Sequence, residues 1–208
     1  MPTRSRRHLI GAAVALLAAL TVTFTAWPGT SSAAVVPQAR ANLVNATGDS
    51  LGSVIFLGRG GHATEVRIEL DVPTTGVALD EFHGIHIHAG TACDPNLGSS
   101  PPAPFASAGL HWDGAGGHTH GAHLGDLPSV LIGEDGTTSL TAAIARFDVS
   151  DVVGRTVILH AGRDNFGNVP TSGTNGYTPN SQGATDLTAG TGNAGSRYGC
   201  GVIKLANS

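Results

Sequence analysis

The chain is poor in charged and aromatic residues: Asp, Glu, Lys and Arg make up 12% of its 208 residues, and Phe, Trp and Tyr make up 5%. Three of its eleven basic residues lie before position 8, which leaves eight basic against fifteen acidic residues in the rest. So few cations offer no basic patch for nucleic acid. No segment has a long amphipathic helix pattern, and no Gly-x-Ser-x-Gly motif supports a serine hydrolase.

Long apolar runs are also scarce, and the longest lies at the N-terminus. Basic residues at positions 4–7 precede an apolar run over residues 9–26, and small residues follow up to Ala34. This order is typical of a secretory signal, so we expect a cleaved signal peptide over residues 1–34 and one exported domain over residues 35–208. The Ser5-Arg6-Arg7 start also fits twin-arginine export, and a single spanning helix is the alternative for a run of about 18 residues.

Cysteine is limited to Cys93 and Cys200. In an exported protein, a disulfide between them is the expected state. Metal ligation by the two thiols is the weaker interpretation, because the sequence has no Cys-x-x-Cys spacing.

Short runs of alternating apolar and polar residues, separated by turn residues, indicate an all-β chain. The predicted strands cover residues 41–45, 53–57, 64–72, 84–88, 129–132, 138–144, 156–160 and 200–205. Eight short strands with abundant glycine predict an antiparallel sandwich or barrel. Two long connections, residues 89–110 and 165–196, are expected to be functional loops, because loops of this length are otherwise uncommon in compact domains.

Histidine is plentiful, with ten in the chain. His86 and His88 are separated by one residue, so in a strand both side chains leave the same face, with Cα atoms roughly 6.5–7 Å apart. Further potential ligands are His111, His118, His120, His123, Asp126 and His160. Imidazole suits copper and zinc, and a carboxylate completes a zinc set. The sequence therefore predicts a metal centre.

Five blocks, in order along the chain, resemble the copper/zinc superoxide dismutases, in particular their exported bacterial members. The blocks are His83-Gly84-Ile85-His86-Ile87-His88, Ser107-Ala108-Gly109-Leu110-His111, His123-Leu124-Gly125-Asp126-Leu127-Pro128, Gly154-Arg155-Thr156 through His160, and Gly192-Asn193-Ala194-Gly195-Ser196-Arg197 followed by Cys200-Gly201-Val202-Ile203. Each block alone is weak, but the ordered set is specific. The resemblance implies an eight-stranded antiparallel Greek-key β-barrel or sandwich with two long functional loops.

The resemblance also implies the ligands. Copper would be bound by His86, His88, His111 and His160, and zinc by His111, His120, His123 and Asp126, with His111 bridging the two metals. By the same match, Asp164 would orient one ligand of each metal, and Cys93 and Cys200 would form the disulfide. Arg197 would lie beside the open copper position.

The zinc region departs from the family pattern. His120 and His123 are only three residues apart, a shorter stretch than the family usually has, and His118 is an alternative to His120 as a ligand. His-x-x-His-x-x-Asp can still surround one ion, so zinc stays in the prediction. Residues 165–196 also lack the acidic and lysine residues that shape the field in the family, which leaves Arg197 to attract an anion almost alone.

The activity that the resemblance implies is that of an enzyme converting superoxide to oxygen and hydrogen peroxide with a redox-cycling copper beside zinc. Arg197 and His111 would be its catalytic residues, and antioxidant defence outside the cytoplasm its role. The alternative is an exported copper- and zinc-binding protein without turnover. We expect superoxide as the small-molecule partner, no nucleic acid, no permanent membrane anchor, and a location in the cell envelope or outside the cell.

Overall fold

The computed structural model describes residues 38–96, 98, 100, 102–165 and 182–206. The predicted signal peptide lies outside the described residues, as does the segment 166–181 of the second long connection. Within the described part of the chain, no helix is both long and apolar enough to cross a membrane.

The described residues form an antiparallel β structure with little helix. The strands are β1 Gln38–Asn45, β2 Ser50–Gly58, β3 Thr64–Asp71, β4 Glu81–His83, β5 Ile85–His88, β6 Val130–Ile132, β7 Thr137–Ile144, β8 Thr156–His160, β9 Arg197–Val202 and β10 Lys204–Leu205. The helices are α1 Val149–Val152 and α2 Gln182–Thr191, and a 3-10 turn covers Ala106–Ala108.

One large sheet has the strand order β5-β8-β9-β1-β2-β3-β7, with β10 beside β1, and β4 and β6 form a separate ribbon. Strands that are distant in sequence lie side by side, as where β1 pairs with β9 and β3 with β7, so the connections cross between them. Every described pair is antiparallel. The predicted all-β, Greek-key class is confirmed.

Period-two alternation explains why these segments are strands. In β3, Val66, Ile68 and Leu70 are buried in the main core, whereas Arg67 and Glu69 between them are exposed. Side chains of successive strand residues point to opposite faces, so the apolar set packs inward and the charged set faces water.

Two details of the sequence prediction were wrong. The described residues contain ten strands rather than eight, because the short β4 was not recognised and the predicted strand 200–205 is divided at Ile203 between β9 and β10. The connection over residues 165–196 was expected to be a loop throughout, but it contains the ten-residue helix α2. Its glycines and threonines are poor helix formers, so local propensity gave no signal.

Candidate metal centre

Strands β5 and β8 direct three histidines to one face of the large sheet. His86 lies opposite Ile158, and His88 lies opposite Thr156. Paired residues of antiparallel strands share a face, and alternation along β8 places His160 on that face as well. The residues between them on both strands are apolar and belong to the main core on the other face.

The loop after β5 returns along this strand and adds a fourth histidine. Isolated bridges pair His88 with His111 and His86 with Asp126. Ile87 is held on both sides, because its N–H donates to Gly125 O at 2.8 Å and its carbonyl accepts from Trp112 N at 2.9 Å. Backbone pairing therefore brings two distant segments of the chain against β5.

The same loop is packed and covalently tied to the sheet. Phe105, Ala108, Ile158 and Cys200 form a small buried cluster on the histidine-bearing side. The predicted disulfide is present in the structure, with the Cα atoms of Cys93 and Cys200 5.7 Å apart. Packing and the disulfide thus fix loop 89–110 to the face of the sheet that carries the histidines.

A register shift at the start of β9 sets the position of Arg197. Leu159 pairs with Gly199, but the next residue, His160, pairs with Arg197, so Tyr198 is an extra residue in β9. Such a bulge changes which face the following side chains point to. Arg197 therefore shares a face with His160, whereas Tyr198 packs against the main core.

His86, His88, His111 and His160 form the first candidate metal group. Each offers one ligand atom within 4.8 Å of the others, and all four residues are buried. One ring nitrogen of each is buried without a hydrogen-bond partner among the described residues, namely His86 Nδ1, His88 Nε2, His111 Nε2 and His160 Nε2. Buried polar atoms are rarely left unpaired, so four together fit a metal ion.

The opposite ring nitrogen holds three of these imidazoles in orientation. His88 Nδ1 donates to Gly109 O at 2.9 Å, and His160 Nδ1 donates to Gly195 O at 3.2 Å. His86 Nε2 donates to Asp164 Oδ2 at 2.6 Å. Such partners fix the tautomer of a ligand histidine and leave the other nitrogen available to a metal.

Burial favours the neutral form, which metals require, for three histidines of this group. It lowers the pKa of His88 well below its usual range, the pKa of His111 to about 4, and the pKa of His160 to about 3. Neighbouring histidines lower each of these pKa values further. At neutral pH the ring nitrogens carry lone pairs, so a metal does not have to displace protons.

The second candidate group surrounds Asp126 Oδ1. This oxygen lies 3.1 Å from His111 Nδ1, 3.2 Å from His120 Nδ1 and 3.4 Å from His123 Nδ1. His111 Nδ1 and His120 Nδ1 are 3.4 Å apart. In a tetrahedral zinc site with bonds of about 2.0–2.1 Å, neighbouring ligand atoms are about 3.4 Å apart. Three imidazole nitrogens and one carboxylate oxygen at these distances fit zinc.

His118 lies outside the second group, and His86 lies between the two groups. His118 Nδ1 contacts Asp113 Oδ1 at 2.6 Å and its side chain is 49% exposed, so the structure brings His120 rather than His118 to Asp126. His86 lies close to both groups. Because its Nε2 donates to Asp164, only its Nδ1 can act as a ligand, and His86 can serve one metal only.

Asp164 connects the two groups. While Oδ2 accepts from His86, Oδ1 accepts from His120 Nε2 at 2.5 Å, and the carboxylate is fully buried. Burial favours the neutral form of His120, but the carboxylates of Asp126 and Asp164 outweigh it and raise the pKa of His120 to about 9. One carboxylate thus orients a histidine of each group.

Helix α2 ends against this carboxylate. His120 N donates to Ala189 O at 2.6 Å, and Asn165 N donates to Gly192 O at 2.8 Å. A Cβ atom at Gly192 would overlap Asp164 Oδ1 and His120 Nε2, and the φ of Gly192 is +61°. Glycine is required here both for the left-handed backbone and for the close approach.

Sequence reasoning missed Arg146. Its Nη1 donates to His123 O at 2.8 Å, and its Nη2 donates to Asp126 O. No local pattern marks this residue, because the contacts join positions at least 20 residues apart. Only the fold brings Arg146 to the second group.

Arg197 lies at the opening beside the first group. Its Nη1 donates to Phe105 O, and its Nη2 donates to Gly109 O, the carbonyl that also accepts from His88. The guanidinium is partly buried and lines a surface cavity of about 450 Å³ together with Leu110 and Ser196. These two contacts hold a permanent cation at this surface.

Comparison with known proteins identifies the family. The family model for copper/zinc superoxide dismutase matches residues 50–203. The Cu-Zn superoxide dismutase of Mycolicibacterium paratuberculosis is 34% identical, over 82% of this chain and 75% of the relative. The Cu-Zn superoxide dismutase of Deinococcus radiodurans is 30% identical, over 82% of this chain and 86% of the relative. The solved Cu/Zn superoxide dismutase from Brucella abortus shares the fold, with a TM-score of 0.59 and 22% identity over 80% of this chain and 99% of that one. This chain belongs to the copper/zinc superoxide dismutase family.

Proposed function

We propose that this protein is a superoxide dismutase that uses copper and zinc to convert superoxide to oxygen and hydrogen peroxide. The observation that carries the proposal is the double role of His111. Its Nδ1 lies 3.1 Å from Asp126 Oδ1 in the second group, whereas its buried Nε2 has no partner among the described residues and belongs to the first group. One imidazole can therefore serve two metals.

The donor sets support a division of the two metals. Four imidazoles, from His86, His88, His111 and His160, would hold copper, because imidazole binds both oxidation states of that metal. Three imidazoles and a carboxylate, from His111, His120, His123 and Asp126, would hold zinc. Asp164 would orient one ligand of each set.

Copper, when bound, supplies the electron chemistry by alternating between its two oxidation states. The residues of this chain attract the superoxide anion, orient the metal ligands and supply a proton. Arg197 draws the superoxide anion to the opening, and its two carbonyl contacts keep the guanidinium in place. His111 can hold a proton at Nε2 while Nδ1 stays beside Asp126, and can pass that proton to the reduced oxygen species.

We also propose that the protein acts outside the cytoplasm. The bacterial origin of its relatives and the Cys93–Cys200 disulfide support this location. Cleavage of residues 1–34 as a signal peptide stays a prediction, as do the absence of a permanent membrane anchor and of a nucleic-acid partner. N-terminal sequencing of the secreted protein would locate the cleavage site.

The decisive experiment is superoxide decay with the copper-reconstituted protein after chelator treatment and buffer exchange, with the apo-protein as control. We expect rapid decay that depends on bound copper. A rate no higher than that of the apo-protein, with copper bound, would overturn the dismutase proposal and leave a metal-binding protein without turnover.

A matched pair of variants tests the zinc ligands. His120→Ala should lose zinc, because it removes one of the four atoms around the site. His118→Ala should retain zinc, because that side chain faces Asp113 near the surface. Zinc content after dialysis measures both, and the reverse result would assign the site to His118.

A further inference from the structure

The turn from His123 to Asp126 is tied to β5 and Trp112 through backbone bonds at Gly125, but its two ends have weaker contacts. Its internal backbone bond, from Asp126 N to His123 O, is 3.3 Å long. His123 Nε2 reaches only the carbonyl of His118, at 3.2 Å, in an exposed part of the chain. By contrast, His120 is held by the buried Asp164 carboxylate at 2.5 Å.

The short spacing in the sequence also limits the contacts available to these two ends. Only two residues separate His120 from His123, and only two more precede Asp126, so three ligand side chains come from one tight segment. The Asp126 carboxylate is oriented within this segment, since its Oδ2 accepts from Gly121 N at 2.7 Å and from His123 N at 3.0 Å. These bonds lie within the segment, whose backbone bonds to other parts of the chain include those of His120 N to Ala189 O and of Gly125 to Ile87 and Trp112.

Arg146 provides a fixed external contact. Its two terminal nitrogens donate to different carbonyls, Nη1 to His123 O at 2.8 Å and Nη2 to Asp126 O. The planar fork of a guanidinium suits two acceptors held at a set separation, which a lysine ammonium cannot reproduce. The two carbonyls belong to the two ligands that lie at the ends of the turn.

The backbone of Arg146 is in turn fixed by the core. Arg146 lies between buried Ile144, the last residue of β7, and Phe147, which is 2% exposed. The Phe147 ring packs against Trp112 at a centroid distance of 5.7 Å, and its carbonyl accepts from Thr64 Oγ1 at 2.9 Å. The contact therefore runs from the sheet to the turn.

We propose that Arg146 is a positioning residue of the zinc site. It holds the backbone of the His123–Asp126 turn so that His123 Nδ1 and Asp126 Oδ1 stay 3.4 Å apart, a separation suited to one tetrahedral ion. The inference rests on the zinc ligands given under the proposed function. It predicts that loss of Arg146 weakens zinc binding and leaves copper binding intact, because Arg146 contacts two zinc ligands that belong only to the second group.

The test compares Arg146→Gln and Arg146→Lys with Arg40→Gln in the zinc- and copper-loaded protein. Arg40 is an exposed residue of β1 whose Nε donates to Asn42, so its replacement makes the same change of charge away from the turn. The measurement is the rate of zinc release to a colorimetric chelator, with copper retention and the melting temperature of each variant alongside.

We expect Arg146→Gln to release zinc about 10-fold faster than the parent, the lower end of the cost of losing a partner behind a metal ligand. Arg146→Lys should be intermediate, since an ammonium can reach one carbonyl at a time. Arg40→Gln should match the parent. Copper retention should be the same in all four proteins.

Two results would overturn the inference. One is release of zinc at the parental rate from Arg146→Gln, or from Arg146→Lys if the glutamine variant does not fold. The other is equal loss of copper and zinc with a lower melting temperature, which shows a general structural role. Zinc release is measured without superoxide. The test of Arg146 therefore stays valid if the dismutase proposal fails, and that failure would be seen in the superoxide decay experiment.

Discussion

At the scale of single residues, the two nitrogens of a ligand imidazole have different roles: one orients the ring through a hydrogen bond, and the other is available to a metal. In His86, His88 and His160 one nitrogen is held by a carboxylate or carbonyl and the other is buried without a described partner. The His-x-His spacing in β5 could be predicted from strand alternation. The choice between His118 and His120 could not, because it depends on which ring the fold turns towards Asp126.

Asp164→Asn tests the carboxylate that joins the two metal groups. Asp164 accepts a hydrogen bond from His86 on one oxygen and from His120 on the other. An amide can accept only one of these, and its NH₂ would face the N–H of the second histidine. We expect affinity for at least one metal to fall about 10- to 100-fold, measured by chelator competition. Unchanged affinity for both metals would show that Asp164 does not support the ligands.

Gly192→Ala tests the close approach of α2 to Asp164. Gly154→Ala is the matched control, because Gly154 also has a positive φ, +86°, and a Cβ there meets nothing within 4 Å. Both variants should lose about 1–3 kcal/mol from backbone strain. Gly192→Ala should lose a further ~1–3 kcal/mol from overpacking and should bind less metal. Equal unfolding free energies in urea would contradict the close-approach argument.

At the scale of elements, the strands could be predicted and the helix over the metal groups could not. Alternation in residues 64–72 is sufficient to predict both β3 and the face of β3 that is buried. β4 has only three residues, too short for a period to be detected, and the pattern over residues 200–205 does not show the break at Ile203 that separates β9 from β10. α2 contains glycine and threonine, so tertiary contacts such as that of Ala189 O with His120 N determine it rather than propensity.

Removal of the Cys93–Cys200 disulfide should affect both the stability of the protein and its attraction of the anion. The Cys93–Cys200 bond spans 107 residues, so the Cys93→Ser/Cys200→Ser variant should lose up to about 4–5 kcal/mol on the chain-entropy model. Loop 89–110 also presents Gly109 O to Arg197 and His88, so superoxide decay should slow as well. Urea unfolding and the decay rate measure the two effects. A stable variant with a parental rate would show that packing alone fixes the loop.

At the scale of the whole molecule, two charge effects oppose each other. Residues 35–208 contain eight basic and fifteen acidic residues, a formal net charge of −7, which repels superoxide, whereas Arg197 attracts it locally. Because Arg197 lines the surface cavity beside the first group, we expect the local attraction to dominate.

The rate of superoxide decay should therefore fall roughly 2- to 10-fold as salt is raised to physiological strength, where the Debye length is about 8 Å. Arg197→Gln should remove most of this dependence, whereas Arg40→Gln, which makes the same change of net charge elsewhere, should keep it. The test is the rate of superoxide decay of the parent and both variants, measured over a series of salt concentrations. A rate that rises with salt in the parent would mean that the overall repulsion dominates.

The extra residue in β9 has a consequence for how this chain can change. Because Tyr198 is inserted opposite β8, Arg197 lies on the histidine side of the sheet rather than on the core side. Deleting Tyr198 would make Arg197 the regular partner of His160 and would leave the cation on the histidine side, whereas regular pairing with both residues retained would turn Arg197 into the apolar interior. The bulge therefore lets two consecutive residues serve opposite faces of the sheet, with an aromatic ring in the core and a cation on the histidine side.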